Sequence, residues 1–280
     1  MRIDETLKDA SRRLEIAGVA EPRREASSLL AFALGRSNAF LIAHPEYELT
    51  AAEYSGFKNF VARREKREPF QYITGRQEFW RLEFETAPGV LIPRPETEVL
   101  VELAIARLRD REQPTFVEAG VGSGCISVSI LHSVPTATAI ATDISPVAID
   151  LAGRNAATHG VDDRLEVRNS DLLTGIDGKV DMVVSNPPYI PDADIETLQH
   201  EVRDYEPIEA LAGGGDGLDI IHRLVCQTGH ILAGGGVLIM EIGDGQAAAV
   251  VDLFGPDEWG PPEFGYDLQA IPRIVIATRK

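Results

Sequence analysis

Four consecutive residues, Asn186, Pro187, Pro188 and Tyr189, follow an apolar, strand-like run and could together hold a planar nitrogen group. The side-chain oxygen of Asn186 and the carbonyl oxygen of Pro187 could each accept a hydrogen bond from one N–H of an NH2 group. The prolines fix φ and remove competing donors, while Tyr189 could stack on the flat acceptor. We interpret this as positional and electrostatic catalysis; the alternative is a stiff turn after an edge strand.

Three glycines, Gly120, Gly122 and Gly124, lie between a predicted strand and a predicted helix. Glycine permits positive φ and a close approach of the backbone to a ligand, and ligands of open α/β sheets bind at this point. A dinucleotide site would have the spacing G-x-G-x-x-G, but the third glycine here comes one residue earlier. The spacing G-x-G-x-G resembles the nucleotide-binding turn of S-adenosylmethionine-dependent methyltransferases. A plain strand-to-helix turn is the alternative.

An aspartate lies just after each of the next two predicted strands. Asp143 lies 19 positions past Gly124, close to the offset of about 20 residues at which dinucleotide sites hold ribose hydroxyls. We predict a ribose-binding role for Asp143, with a helix-capping role beside Ser145 as the alternative. Asp171 could hold an adenine amino group while Leu172 packs on the base, although an ordinary turn aspartate would have the same pattern.

The elements that would position these side chains alternate along the chain after Pro93. Strands are predicted near 115–119, 138–142, 164–168, 180–185, 236–242 and 271–278, and helices near 96–109, 125–132, 145–160 and 218–232. This alternation predicts an α/β fold with a mostly parallel sheet covered on both faces.

The chain before Pro93 has two other patterns. Apolar residues in the first 70 or so positions recur at helical spacing within short, separately capped segments, which predicts a small helical bundle. Apolar runs on either side of Ala87-Pro88-Gly89 predict a β-hairpin with a Pro-Gly turn. We therefore predict a helical bundle over 1–75, a hairpin linker over 76–92 and an α/β domain over 93–280.

Composition excludes several classes of protein. Acidic residues outnumber basic ones by 44 to 27, which gives a net charge of −17. Because such a charge repels phosphate backbones, we expect no direct nucleic-acid binding. Two distant cysteines and six scattered histidines predict neither a disulfide framework nor a metal site. The polar N-terminus and the absence of a long apolar run predict a cytoplasmic protein without a membrane span.

Longer stretches narrow the interpretation. They read P-F-Q-Y-I-T-G-R-Q-E-F-W at 69–80, L-I-P-R-P-E-T-E at 91–98, S-N-P-P-Y-I at 185–190 and A-L-A-G-G-G-D-G-L-D at 210–219. Together with the glycine turn and the two aspartates, they resemble the HemK/PrmC family, the peptide chain release factor glutamine methyltransferases. The resemblance covers essentially the whole chain.

The resemblance implies a Rossmann-like S-adenosylmethionine-dependent methyltransferase domain with a seven-stranded, mostly parallel sheet. It implies methyl transfer from S-adenosylmethionine to the side-chain amide nitrogen of the glutamine in the Gly-Gly-Gln motif of class 1 release factors. A glutamine amide is a planar NH2 acceptor, in agreement with the chemistry inferred for 186–189. The N-terminal helices would grip the release factor, and we expect a monomer.

The resemblance also assigns roles to individual residues. Asn186, Pro187, Pro188 and Tyr189 would hold the glutamine. Residues implied in cofactor binding are Arg94, Thr97, Glu118, Gly120, Val121, Gly122, Ser123, Gly124, Asp143, Asp171, Leu172 and Asn186. No metal is implied.

Three positions depart from the family pattern. Glu118 stands where relatives usually have aspartate, Val121 replaces a threonine, and Leu172 replaces a frequent aromatic residue. Glu118 must therefore reach the same region with one more methylene group. Two other acceptors stay open for the same fold, a free amino acid or small amine and, against the charge balance, DNA adenine. The intact 186–189 motif argues against a binding module that has lost catalysis.

Overall fold

The protein is described by a computed structural model that covers residues 1–267 and 269–280. Its helices are α1 (Ile3–Ile16), α2 (Pro22–Leu34), α3 (Asn38–Ala43), α4 (Ala51–Arg64), α5 (Phe70–Thr74), α6 (Glu98–Leu108), α7 (Cys125–Ser133), α8 (Pro146–Thr158), α9 (His200–Arg203), α10 (Asp219–Ile231) and α11 (Ala247–Val251). Its strands are β1 (Arg76–Phe79), β2 (Leu82–Glu85), β3 (Thr115–Ala119), β4 (Thr138–Asp143), β5 (Leu165–Asn169), β6 (Val180–Ser185), β7 (Leu232–Glu241), β8 (Glu263–Tyr266) and β9 (Pro272–Thr278).

The chain divides into two compact units. Unit 1 contains Met1–Arg76 and Gln199–Tyr205, and unit 2 contains Gln77–Leu198 and Glu206–Lys280. Short 3-10 helices in unit 2 cover Pro95–Thr97, Asp192–Thr197 and Ile208–Ala210. Within the described part of the chain, no helix has the length and apolar character needed to cross a bilayer.

Unit 1 forms around helices that bury one face each. In α1 the buried apolar residues are Ile3, Ala10 and Leu14, which follow the spacing of one helix face. A capping box begins α4, since Thr50 Oγ1 accepts a hydrogen bond from Glu53 N at 3.3 Å and the Glu53 carboxylate accepts one from Thr50 N at 2.8 Å. These bonds satisfy backbone donors that the first helical turn leaves unpaired.

A glutamate anchors the segment Gln199–Tyr205 in unit 1. The carboxylate of Glu201 accepts hydrogen bonds from Arg64 Nη1 at 2.9 Å and from Arg67 Nε and Nη2 at 2.7 Å each. Burial alone would raise the pKa of Glu201, but the hydrogen bonds from Arg67 and Arg64 lower it to about 2. Residues far from the helices in sequence therefore complete unit 1 through a charged contact.

Unit 2 is built on a seven-stranded sheet with the strand order β5-β4-β3-β6-β7-β9-β8. Strands β3 to β7 pair in parallel, and β9 runs antiparallel to both of its neighbours. Neighbouring residues of β3 pack on opposite faces, Phe116 in a core with Leu100 of α6 and Val117 in a core with Leu224 of α10. The mostly parallel sheet covered on both faces is confirmed.

The hairpin differs from its prediction. Strands β1 and β2 are joined by Trp80 and Arg81, whose φ values of 52° and 60° match the sign that a type I′ turn requires at both positions. Two contacts hold Trp80 there, because its backbone N–H donates to Glu98 Oε1 at 2.8 Å and its indole N–H donates to Ser133 Oγ at 3.0 Å. The predicted hairpin turn at Ala87-Pro88-Gly89 is wrong, since residues 91–94 continue outside any strand.

The anchor of Gln199–Tyr205 yields a test of stability. We expect Glu201→Gln to lower the free energy of opening of α4 by about 1–2 kcal/mol near pH 7, because two guanidinium groups lose their ionised partner. The measurement is native-state hydrogen exchange of the α4 backbone amides.

The effect has a defined pH dependence. The folded pKa of Glu201 lies below the ordinary value of 4.5, so its stabilisation is complete above about pH 4.5 and declines as the pH falls toward 2. The difference between wild type and variant should therefore shrink below pH 4.5. Glu15→Gln, an exposed change in α1, is the matched control, and equal exchange in both variants would contradict the anchoring role.

Candidate active site

The carboxyl ends of five parallel strands lie at one edge of the sheet. Ala119, the last residue of β3, is in register with Thr142 of β4 and Ser185 of β6. The residues that follow these positions therefore meet at the same edge, as expected for parallel strands. This is the physical reason why segments separated by more than 60 positions can form one site.

Most of the predicted site residues line one cavity of about 750 Å³ in unit 2. Those that line it are Arg94, Thr97, Glu118, Gly120, Val121, Gly122, Ser123, Asp143, Asp171, Leu172, Asn186 and Pro188. Gly124, Pro187 and Tyr189 do not line the cavity but adjoin residues that do. The cavity volume falls within the range typical of cofactor sites.

The glycines of the turn have different tasks. All three adopt positive φ, at 78° for Gly120, 53° for Gly122 and 83° for Gly124. A Cβ atom on Gly120 would meet no atom within 4 Å, whereas one on Gly124 would lie 3.2 Å from Ala152 Cα and Cβ. Gly120 thus leaves its backbone open to the cavity, and Gly124 permits close packing of α7 against α8.

Both oxygens of the Asp143 carboxylate accept hydrogen bonds from backbone N–H groups. Its Oδ2 accepts a hydrogen bond from Gly122 N at 3.0 Å, and its Oδ1 accepts one from Ser145 N at 2.9 Å. Ser145 Oγ in turn accepts a hydrogen bond from Ala148 N at 3.4 Å as the N-cap of α8. Asp143 therefore connects the glycine turn to the start of α8 and still lines the cavity.

Asp171 has a partner that the sequence did not indicate. Its Oδ2 accepts a hydrogen bond from Arg223 Nη2 of α10 at 2.6 Å, and Arg223 lines the cavity too. The neighbouring Leu172 has a φ of 51°, a left-handed conformation that a side chain with a Cβ rarely adopts. This end of the cavity thus combines an ion pair with an apolar side chain held in an uncommon backbone conformation.

Glu118 lines the cavity and is fully buried. Its Oε2 accepts hydrogen bonds from the backbone N–H of Ser127, at 2.9 Å, and from the Ser127 hydroxyl. Among the described residues, its Oε1 has no hydrogen-bond partner. Burial raises the pKa of Glu118 to about 8, and the charge of Asp143 adds to that increase. An unpartnered buried oxygen at a cavity wall is suited to a polar ligand group.

A second buried glutamate holds Arg94. Arg94 Nη2 donates to Glu206 Oε1 at 2.6 Å, and Ile92 N donates to Glu206 Oε2 at 3.3 Å. Burial raises the pKa of Glu206, while the charge and hydrogen bond of Arg94 oppose the increase. The 91–94 segment is therefore tied to unit 2 by a buried carboxylate.

A third buried glutamate joins Asn186 and Tyr189. Asn186 Nδ2 donates to Thr97 Oγ1 at 3.2 Å, and Thr97 Oγ1 donates to Glu241 Oε2 at 2.7 Å. Tyr189 OH donates to Glu241 Oε1 at 3.0 Å. Burial raises the pKa of Glu241, and the hydrogen bonds from Thr97 and Tyr189 oppose that effect. The Tyr189 hydroxyl thus binds the Glu241 carboxylate directly, and the Asn186 amide is connected to the same carboxylate through Thr97.

The glycine-rich segment Gly213–Gly217 is hydrogen-bonded to the backbone at the end of the 186–189 motif, in part through Gln246. Gly213 N donates to the carbonyl of Ile190 at 2.9 Å. Gln246 Nε2 donates to the carbonyl oxygens of Tyr189 and Gly217 at 3.0 and 3.3 Å. These bonds hold the glycine-rich segment against the backbone of Tyr189 and Ile190.

Sequence reasoning missed Arg223, Glu206, Glu241 and Gln246. Glu241 ends a predicted strand, the same signal that identified Asp143, so it could have been found. The others lie on a helix or in loops and have no local pattern of their own. Within the described residues, no group of three or more histidine, cysteine, aspartate and glutamate side chains could hold a metal ion.

The support behind the motif can be tested with two alanine substitutions in one segment. A Cβ atom on Gly217 would lie 2.3 Å from the carbonyl oxygen of Tyr189, at a φ of 79°. We expect Gly217→Ala to destabilise unit 2 by about 1–3 kcal/mol. Thermal unfolding followed by tryptophan fluorescence measures this change, because Trp80 and Trp259 both belong to unit 2.

Gly215→Ala is the matched control, since a Cβ atom there meets no atom within 4 Å. Its unfolding temperature should remain near that of wild type. Equal unfolding temperatures for the two variants would show that the segment does not hold the backbone of Tyr189.

Comparisons with known proteins cover both parts of the chain. The family described as PrmC N-terminal domain matches residues 5–75, and the family described as Methyltransferase small domain matches residues 82–203. The chain is similar in fold to a methyltransferase from Pyrococcus furiosus, with a TM-score of 0.53, 14% identity and coverage of 70% of this chain and 88% of that one. The fold is therefore that of a methyltransferase.

Full-length relatives are much more similar in sequence. A release factor glutamine methyltransferase from Koribacter versatilis is 40% identical over 100% of this chain and 99% of its own length. One from Geobacter sulfurreducens is 42% identical over 92% of this chain and 90% of its own length. Such identity over entire chains makes this protein a member of the release factor glutamine methyltransferase family.

Proposed function

We propose that this protein transfers a methyl group from S-adenosylmethionine to the side-chain amide nitrogen of the glutamine in the Gly-Gly-Gln motif of class 1 release factors. The observation that carries the proposal is the hydrogen bond from Asn186 Nδ2 to Thr97 Oγ1 at 3.2 Å. With its NH2 end bound in this way, Asn186, which lines the cavity, keeps its Oδ1 end available as an acceptor. The names of relatives that are about 40% identical over the whole chain support the same acceptor.

The residues around the cavity fit the cofactor. Gly120 brings bare backbone to the cavity wall, Asp143 presents a carboxylate suited to ribose hydroxyls, and Leu172 presents an apolar surface for a base. The unpartnered Oε1 of Glu118 could accept a hydrogen bond from a polar group such as an amino group. S-adenosylmethionine supplies a methyl group activated by a sulfonium centre.

Asn186 and Pro187 prepare the acceptor. A glutamine amide nitrogen is a poor nucleophile because its lone pair is delocalised over the carbonyl group. Two hydrogen-bond acceptors, Asn186 Oδ1 and the Pro187 carbonyl oxygen, would hold its two N–H groups and favour a pyramidal nitrogen. The nitrogen would form a bond to the methyl carbon while the bond between that carbon and the donor sulfur breaks, and the sulfonium would leave as a neutral thioether. The methylated nitrogen would then release one proton to water, so the site needs no strong base before transfer. This is catalysis by position and electrostatics.

The ring of Tyr189 has a supporting part in this proposal. Its hydroxyl is bound to Glu241, and burial, with Glu241 nearby, raises its pKa above the usual range. A neutral phenol held in this way is unsuited to act as a base near neutral pH. We propose that it fixes the backbone of the motif and borders the acceptor.

Partner recognition is the second part of the proposal. We infer that the helices of unit 1 grip the release factor, which agrees with the match of residues 5–75 to the PrmC N-terminal domain. The net charge of −17 disfavours direct contact with nucleic acid. We propose a monomer that acts in the cytoplasm, where translation factors are found.

The direct test is methylation of purified release factor. Wild-type protein with S-adenosylmethionine should add one methyl group to the Gly-Gly-Gln peptide, detected by mass spectrometry. Asn186→Ala should lower turnover by about 100-fold or more and keep cofactor affinity within roughly tenfold of wild type, measured by calorimetry. Near-wild-type turnover of the variant, or methylation of free glutamine in place of the release factor, would contradict the proposal.

Glu118 yields a second test, of the cofactor site. Its pKa rises from an ordinary value of 4.5 to about 8 on folding. Because the folded protein then binds a proton that the unfolded chain has lost, stability decreases as the pH rises from about 4.5 to 8. We expect Glu118→Gln to remove this pH-dependent loss of stability, which is on the order of 5 kcal/mol, as measured by denaturant unfolding at several pH values. We also expect it to weaken S-adenosylmethionine binding.

Glu112→Gln, an exposed change in the same unit, is the matched control for both measurements. An unchanged pH profile together with unchanged cofactor affinity would remove Glu118 from the site.

A further inference from the structure

The carboxylate of Glu241 is the common end of two hydrogen-bonded branches. Glu241 is only 3% exposed and lies at the end of β7. One oxygen accepts from Tyr189 OH at 3.0 Å, and the other accepts from Thr97 Oγ1 at 2.7 Å. Both donors are side chains that contact or belong to the 186–189 motif. A carboxylate with a donor on each oxygen has a fixed orientation.

In the branch through Thr97, the donor and the acceptor of each hydrogen bond can be assigned. A hydroxyl group carries one hydrogen, and Thr97 gives it to Glu241. Toward Asn186, Thr97 Oγ1 is therefore an acceptor, and only the NH2 end of the Asn186 amide can face it. The 3.2 Å distance joins Asn186 Nδ2 to Thr97 Oγ1. Since the two ends of an amide point apart, the Oδ1 end is directed away from Thr97.

We propose that Glu241 is a positioning residue that, through Thr97, sets which end of the Asn186 amide faces the cavity and, through Tyr189, holds the far end of the motif. The inference rests on the proposed function, because it matters for turnover only if Asn186 Oδ1 binds the acceptor N–H. Glu241 touches neither reacting atom in this proposal. Its contribution is to orient the side-chain amide of Asn186.

The alternative arrangement shows why Oε2 of Glu241 must act as an acceptor. If Glu241 carried a hydrogen on Oε2, it would donate to Thr97, and the threonine hydroxyl would then donate to Asn186. The amide would have to turn its oxygen toward Thr97 and present NH2 to the cavity. Two donors would then face each other at the acceptor nitrogen, which removes the hydrogen bond that prepares it. An amide in place of the carboxylate has only one acceptor oxygen, so Thr97 and Tyr189 could no longer both donate to this side chain.

The test uses substitutions that keep side-chain shape. We expect Glu241→Gln to lower kcat for release factor methylation by about 10- to 100-fold, with KM and S-adenosylmethionine affinity within about threefold of wild type. Thr97→Val should lower kcat similarly, and Thr97→Ser should recover most of that loss because it restores the hydroxyl group. Glu263→Gln, at an exposed glutamate paired with Arg107, is the matched control.

A second readout is independent of activity. In proton–nitrogen NMR spectra, the side-chain amide signal of Asn186, assigned by its loss in Asn186→Asp, should shift in Glu241→Gln and Thr97→Val and stay in place in Glu263→Gln. An unmoved signal in Glu241→Gln, or unchanged kcat in an active enzyme, would overturn the inference. If wild type does not methylate the release factor, the proposed function fails alone, and the NMR measurement still decides the positioning role.

Discussion

Parallel pairing of β3 with β4 and β6 is the constraint on which the rest of the site depends. Parallel strands end at the same edge, so the glycine turn, Asp143 and Asn186 meet although they lie far apart in the chain. Extending the same edge through β7 adds Glu241, which connects the motif to Thr97. Asp143 and Glu241 are the last residues of their strands and Asn186 directly follows β6, which favours precise positioning.

Buried carboxylates give this edge its chemical character. Glu118, Glu206 and Glu241 are all buried, and burial raises the pKa of each one. Glu206 is compensated by Arg94 and Glu241 by two hydroxyl groups. Glu118 keeps one oxygen without a partner among the described residues. Burying a polar group without a partner is unfavourable, and such groups commonly mark sites where a ligand supplies the missing bond.

Sequence periodicity and spacing predicted the parallel sheet, the helical N-terminal part and the grouping of most site residues around one cavity. These features follow from local patterns, namely alternating elements and polar residues at strand ends. The position of the hairpin turn does not follow from a local pattern. Contacts with Glu98 and Ser133 hold Trp80 in a conformation that its own sequence does not favour. The pairing of Asp171 with Arg223 depends on the docking of α10. Strand β8 was also not predicted. It has only four residues, too few for a clear sequence pattern, and it is formed by antiparallel pairing with β9.

The position of the transferred methyl group decides whether the side-chain nitrogen of the glutamine is the acceptor. Release factor with nitrogen-15 in its glutamine side chains would be incubated with this protein and a donor carrying a carbon-13 methyl group. We expect a methyl carbon signal split by one-bond coupling to the side-chain nitrogen of the glutamine in the Gly-Gly-Gln motif. A methyl carbon without that coupling, or one coupled to the nitrogen of another residue, would contradict it.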